Sequence, residues 1–333
     1  MKVIISFVAV NGKGLDYTHL DQVIFRHLLN KEEAIQQGVD NTITGIQQMP
    51  GGEVWCSTGT DGILVFDSDF QTLRKHHLKG KSIHKIIRLE AGKVLVELKD
   101  FSYRLYDDRK KTFSIYHPAG LPAGITNSVK NKEETLLYSR QGAARYHPGG
   151  KPEILKILNS TIEWSHISHV CFISDNEILV QTFYTSLFYA KREGADFRVA
   201  RELCRTPFNI NASVKAGDTI YLATTSGLKA FNIPGKQLEE RTLLPAYCSG
   251  VVAKGKEELW ISSNNGLYRL TLKSGKISHF TESDGLQGPV FHPGTLTVLQ
   301  DGKIAVAGNN GINTFTPESM KEKMLLSKHI LLK

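Results

Sequence analysis

Leu259-Trp260-Ile261-Ser262-Ser263-Asn264-Asn265-Gly266-Leu267-Tyr268-Arg269-Leu270 runs an apolar strand into a small polar turn and out into a second strand. Asn and Gly tolerate the positive φ of tight hairpin turns, so Asn265-Gly266 between runs of Leu, Ile, Trp and Tyr predicts a β-hairpin. The same grammar recurs in Ile220 to Leu228, in Ile304 to Ile312 and in Val54-Trp55-Cys56-Ser57-Thr58 running to Gly62-Ile63. Weaker copies are Leu136 to Gly142 and Val3-Ile4-Ile5-Ser6 running to Gly14-Leu15. The turn glycines Gly14, Gly62, Gly142, Gly227, Gly266 and Gly311 are separated by 48, 80, 85, 39 and 45 residues. The two doubled gaps each hold a copy without its glycine, Val94-Leu95-Val96-Glu97-Leu98 and Ile178-Leu179-Val180-Gln181-Thr182. Seven intervals then average about 42 residues, the period of four-stranded propeller blades.

The period predicts an all-β fold, a β-propeller of four-stranded antiparallel blades. Short strands open near Ile43, Ile83, Ile125, Ile167, Ile210, Val251 and Leu296, each followed by polar or glycine-rich turns. The central strands, such as Lys93 to Leu98 and Glu177 to Thr182, are apolar almost without alternation, which a sheet covered on both faces explains. A β-solenoid needs much shorter periods, and a sandwich does not repeat at about 40 residues. Residues 43–320 predict seven repeats forming one propeller from 1 to 320. Residues 1–42 read as a partial repeat with Val23 to Leu28 as an outer strand, which leaves an eighth blade open. Residues 321–333 read as a linker or the first strand of a following domain.

The composition excludes little. The chain has 333 residues, 41% hydrophobic and 22% charged, with a net charge of +8 that draws acidic partners. The tail from Lys321 to Lys333 holds four lysines against Glu322. The four cysteines, Cys56, Cys171, Cys204 and Cys248, lie in different repeats with no Cys-x-x-Cys pair, so they predict free thiols in the core. Met1 to Val10 has too short an apolar run for a signal peptide and lacks a small-x-small cleavage site, so it reads as a strand.

These repeats resemble the two-component regulator propeller repeats: an isoleucine-start strand, a glycine-containing turn, a Trp-centred strand ending in small hydroxyl residues, then Gly-Leu and an aromatic. Copies around Trp55 and Trp260 match well. The last unit, Asp284-Gly285-Leu286-Gln287-Gly288-Pro289-Val290-Phe291-His292-Pro293-Gly294 through Gly302-Lys303-Ile304 to Gly311-Ile312-Asn313-Thr314-Phe315-Thr316-Pro317, resembles the closing repeat of the periplasmic sensor region in Bacteroidetes hybrid two-component systems. The resemblance implies a periplasmic sensor module that reads a small molecule or oligosaccharide and signals through Met324 to Leu332 to downstream domains of the same receptor. Kinase and DNA-binding parts lie outside this chain, and a second copy of it is a further admissible partner. A propeller lyase and a protein-interaction scaffold are the alternatives.

No Gly-x-Ser-x-Gly, His-Glu-x-x-His, P-loop or EF-hand pattern is present, so no catalytic residue, metal site or cofactor is predicted. His76 and His77 alternate on a strand and face opposite sides. Binding is expected where the loops between blades converge. The candidate ligand-binding residues are Lys79, Lys81, Arg140, Trp164, His166, His169, Tyr184, Asn264, Phe291, His292 and Asn309. Gln71 to Arg88 carries Arg74, Lys75, Lys79, Lys81, Lys85 and Arg88 without an acid, which would suit an acidic glycan. Nucleic acid is not expected, because no aromatics interleave with those charges. Trp55 and Trp260, in mid-strand, are expected in the core.

Overall fold

The computed structural model describes residues 5–10, 14–19, 25–90, 92–117, 119–158, 167–183, 186–239 and 241–320, the first two segments by their backbone. In the first six repeats four strands pair antiparallel in chain order to form one sheet each. The first blade is Ile43–Gln48, Val54–Thr58, Ile63–Phe66 and Leu73–His77. The next five begin at Ile83, Asn127, Ile167, Ile210 and Cys248. These starts follow the sequence reading to within a few residues. In the fourth blade Ile157–Leu158 adds a parallel fifth strand outside Asp196–Arg205.

The seventh blade settles the blade count. Its strands Thr297–Val298, Ile304–Gly308 and Gly311–Phe315 are completed from the other end of the chain by Arg26–Leu28, which pairs antiparallel with Ile312–Thr314. The early residues therefore supply the outer strand of the last blade, and seven blades close the ring. Ile5–Val10 and Gly14–His19 pair as a separate two-stranded hairpin. A short helix, Lys31–Gln37, which the periodicity did not signal, follows the closing strand. Asn30 caps it by accepting the N–H groups of Glu32 and Glu33.

Seven buried apolar clusters occupy the seven junctions, one between each pair of neighbouring sheets. This explains why the second strands, such as Val54–Thr58 and Thr135–Ser139, are buried at every position. Trp55, 1% exposed, sits between the first and second blades, and Trp260, fully buried, between the sixth and seventh.

Turn chemistry fixes how each blade folds on itself. Gly311 has φ +88°, and a Cβ there would lie 2.2 Å from the Leu28 carbonyl oxygen. Gly62 is alike, with φ +82° and the His77 carbonyl 2.4 Å from a Cβ position. Only glycine lets the turn between second and third strands tuck against the end of the outer strand.

Antiparallel alternation sorts the connections onto two faces. The loops between blades and the turns between second and third strands lie on one face, here called upper. The remaining turns lie on the lower face.

Candidate functional site

Those of the predicted site residues that the structure describes lie on or near the upper face but do not converge. Lys79 and Lys81 are exposed on the connection between the first and second blades. Arg140, on a turn of the third blade, places its guanidinium 4.3 Å from the centre of the Phe183 ring. Asn264 is exposed on the sixth blade. On the seventh, His292 Nε2 and Asn309 Oδ1 are 2.6 Å apart, the one pair in the set brought into contact among the described residues. Phe291 is 2% exposed and belongs to the core between the last two blades, so it is out of reach of a surface ligand. His169 is equally interior: its Nε2 meets Ser213 Oγ at 2.9 Å, and burial pulls its pKa down to about 4. Trp164, His166 and Tyr184 lie outside the described residues.

The basic run does not form one patch either. Arg74 pairs with Asp67 and Lys75 with Glu53 on the outer edge of the first blade. Lys85 instead donates to the Thr126 carbonyl in the next blade, and Arg88 donates to the Gln48 carbonyl in the preceding one. His76 and His77 diverge as alternation requires: His76 bonds the Asp61 carbonyl, while the His77 ring packs 5.1 Å from Trp55. Cys56, Cys171 and Cys248 are buried free thiols, Cys204 is a half-buried one, and burial raises all four.

The lower face shows a recurring device. At or beside the first turn of a blade, a charged residue is held by the third strand or following turn of the next. Glu90 accepts the Gly149 N–H at 2.7 Å, Glu134 pairs with Arg192, Glu177 with Lys236 at 3.0 Å, and Lys254 with Glu318 at 3.0 Å. At the junction of the first two blades the corresponding charges are satisfied inside their own blades. Glu53 pairs with Lys75 at 3.2 Å and Asp108 with Lys111 at 2.6 Å.

There a cavity of about 210 Å³ opens, lined by Met49, Pro50, Gly51, Glu53, Trp55, Arg88, Glu90, Gly92, Val94, Tyr106, Asp108 and Lys111. Its aromatic wall is Trp55 against Tyr106, edge to face with centroids 4.8 Å apart, backed by His77 and Phe113. The Trp55 indole N–H and His77 Nε2 are buried without a hydrogen-bond partner among the described residues. Burial and the nearby Lys75 charge hold His77 below the usual histidine pKa, so it is neutral. Burial acts to raise the Glu90 carboxyl, but hydrogen bonds from Lys93, Tyr146 and the Gly149 N–H outweigh it and keep Glu90 ionised.

Trp55 and Tyr106 are themselves buried, so what the cavity presents to solvent is its rim of charged side chains. Sequence reasoning passed over this site because Trp55 and Trp260 read identically, both as mid-strand core residues. No local pattern in the sequence brings Asp108 and Lys111 of one blade opposite Trp55 of another. Among the described residues, no group of three or more His, Cys, Asp or Glu side chains is arranged to hold a metal ion. No helix of the described residues is long and apolar enough to cross a membrane.

No protein-family model and no curated protein matches this sequence. Solved structures do match it in shape. The extracellular domain of a putative hybrid two-component system, BT3049, from B. thetaiotaomicron is similar with a TM-score of 0.72 and 16% identity, over 95% of this chain and 44% of that one. The extracellular domain of the putative one-component system BT4673 from the same organism is similar with a TM-score of 0.70 and 14% identity, over 87% of this chain. A computationally designed protein, Ika8, is similar with a TM-score of 0.59 and 13% identity, over 83% of this chain. This chain spans 39% and 44% of the length of the two bacterial extracellular domains. It is a seven-bladed β-propeller whose fold is that found in the extracellular domains of B. thetaiotaomicron two-component systems.

Proposed function

We propose that this chain is the ligand-reading propeller of a two-component sensor, facing the periplasm, which binds an oligosaccharide and passes its bound state to further domains of the same receptor. The observation that carries this reading is the likeness across 95% of the chain to the extracellular domain of a putative hybrid two-component system. The repeat grammar around Trp55, Trp260 and the closing unit Asp284 to Pro317 supports it from the sequence side. Binding without turnover accords with the chemistry present. His169 and His77 are buried and neutral, and the ionised groups at the blade junctions are held in ion pairs or hydrogen bonds. In this role ligand affinity differs between two conformations of the receptor, and binding shifts their populations.

Thermal-shift screening of the purified chain against neutral, uronic-acid and sulfated oligosaccharides, each at low and raised salt, tests the proposal. A ligand of the native state raises the melting temperature by mass action, and salt separates charge attraction from pocket recognition. Stabilisation by one glycan that survives salt, with the glycan recovered intact, is the expected result. A shortened or unsaturated sugar product would replace the sensor reading with that of a glycan-active enzyme.

A further inference from the structure

We infer that Lys85 anchors a ligand carboxylate at the upper end of the propeller's central channel. The carboxylate belongs to a uronate unit of a glycan or to a free carboxylic acid. This rests on the sensor reading and deepens it with a place and a chemical group.

Three blades fix the place. Lys85 lies near the start of Ile83–Glu90, the innermost strand of the second blade. Its Nζ donates to the Thr126 carbonyl, at the entry of the third blade, at 3.2 Å. A Cβ placed on Gly294, at the entry of the seventh blade, would lie 3.9 Å from the same nitrogen. The first and second blades separate the seventh from the third, so one atom reaches both only from the channel that the innermost strands surround.

The repeat does not require a lysine at this position. In five blades the innermost strand skips one residue of its register just after its start, and pairing resumes at Gly45, Lys85, His169, Ala212 and Gly250. Two glycines and an alanine show that a blade closes here without a long side chain. Bulges of this kind re-aim side chains and are over-represented beside binding sites. The skipped residues Thr44, His84, Ser168 and Asn211 add hydroxyl, imidazole and amide groups at the same level of the ring.

Charge gives the chemistry. The acids of the first two blades on the upper face are already engaged. Glu97 accepts from four donors, Asp40 from the Thr42 and Thr60 N–H groups, Asp61 from the Gly80 N–H, and Asp100 from Ser102. Lys85 forms no ion pair among the described residues, and its hydrogen bond goes to an uncharged carbonyl. Burial lowers its pKa, and the Glu97 charge offsets that only in part. Lys85 is half-buried, so its head group remains within reach of a molecule in the channel. An incoming carboxylate supplies the missing countercharge through a charge-assisted hydrogen bond, which an enclosed site strengthens. The exposed Lys79 and Lys81, on the connection that leads into this strand, favour the approach of an anion.

Saturation-transfer difference NMR of the purified chain with D-glucuronate, succinate and D-glucose tests the site, each at low and raised salt. Glucose differs from glucuronate only in lacking the carboxylate at C6. The expected result is saturable binding of glucuronate that survives raised salt, because an enclosed charge pair is screened less than a surface one. Lys85→Met keeps the apolar stem and weakens that binding about tenfold or more. Lys85→Ala, which copies the fifth blade, does the same, and melting curves of both variants confirm the fold. Lys81→Met leaves the affinity within about twofold. Binding of succinate without glucuronate, lost in Lys85→Met, supports the carboxylate anchor and overturns its glycan source. Equal binding of glucose and glucuronate, or unchanged affinity in both Lys85 variants, overturns the site; a glycan that still stabilises the chain then leaves the sensor reading standing. Absence of any carboxylate binding together with absence of any stabilising glycan overturns both.

Discussion

Glu97 and Ile125 are joined across a blade boundary: the fully buried Glu97 carboxylate accepts the Ile125 backbone N–H at 2.9 Å. It also accepts from the Gly124 N–H, the Tyr103 hydroxyl and His84 Nδ1, at 2.7, 2.9 and 2.6 Å. In the fourth blade Gln181 holds the equivalent strand position and accepts the Ile210 N–H at 2.7 Å. One buried acceptor near the end of a second strand therefore fastens the entry of the next blade. Glu97→Ala leaves several buried donors unpaired and is expected to cost about 3 kcal/mol or more. Glu97→Gln, which reproduces the arrangement of the fourth blade, is expected to retain most of that stability. Urea denaturation of the two variants against the parent chain checks the order.

Ring closure predicts a second pair of outcomes. A Cβ at Gly311 would meet the Leu28 and Leu29 carbonyls at 2.2 and 2.5 Å, so Gly311→Ala pushes the closing strand away from the seventh blade. The expected loss is about 2 kcal/mol or more, seen as a lower melting temperature and faster amide exchange at Ile312 to Thr314. Gly51→Ala, where a Cβ meets nothing within 4 Å, is expected to stay within about 0.5 kcal/mol of the parent.

His169 makes stability depend on pH in a defined window. Its folded pKa is about 4 against an ordinary value of 6.5, so the unfolded chain binds the proton more readily. Stability is therefore full above pH 6.5 and falls as the pH drops from 6.5 towards 4, by up to about 3 kcal/mol from this group. His169→Gln is expected to flatten the slope in that window, measured by urea midpoints between pH 7 and pH 4.5. The lowered carboxylates, Glu90 and Glu177 among them, add their losses at lower pH.

Phe291 and His292 are neighbours in sequence with opposite roles in the fold. Phe291→Ala empties a core position and is expected to cost about 3–5 kcal/mol. His292→Ala removes only the contact with Asn309 and is expected to change stability by less than about 0.5 kcal/mol. Melting curves of the two single variants separate them.

Much of the architecture was legible because each blade is a local object. Ile43, Ile83, Ile167 and Ile210 open strands where the sequence pattern placed them, and Val94 to Leu98 and Ile178 to Thr182 are the second strands of blades whose turn glycine is missing. The binding surface was less legible. Phe291 and His169 sit in loop and strand-entry segments that read as exposed, yet each turns inward to fill a junction. The six cations between Gln71 and Arg88 read as one patch, but the chain passes there from an outer edge to an innermost strand and separates them.

The repeat, the four-strand blade and the two-sided burial of the central strands are written in the sequence, because turn chemistry and unbroken apolar runs act over ten residues or fewer and recur about every 42. The blade count and the cavity come instead from long-range contacts. Seven blades close because Arg26–Leu28 pairs with Ile312–Thr314 across nearly the whole chain. The cavity exists because Trp55 and Tyr106, contributed by two different blades, meet at a junction whose charges pair within their own sheets. Both depend on where the ring brings distant segments into contact, and no local pattern in the sequence encodes that.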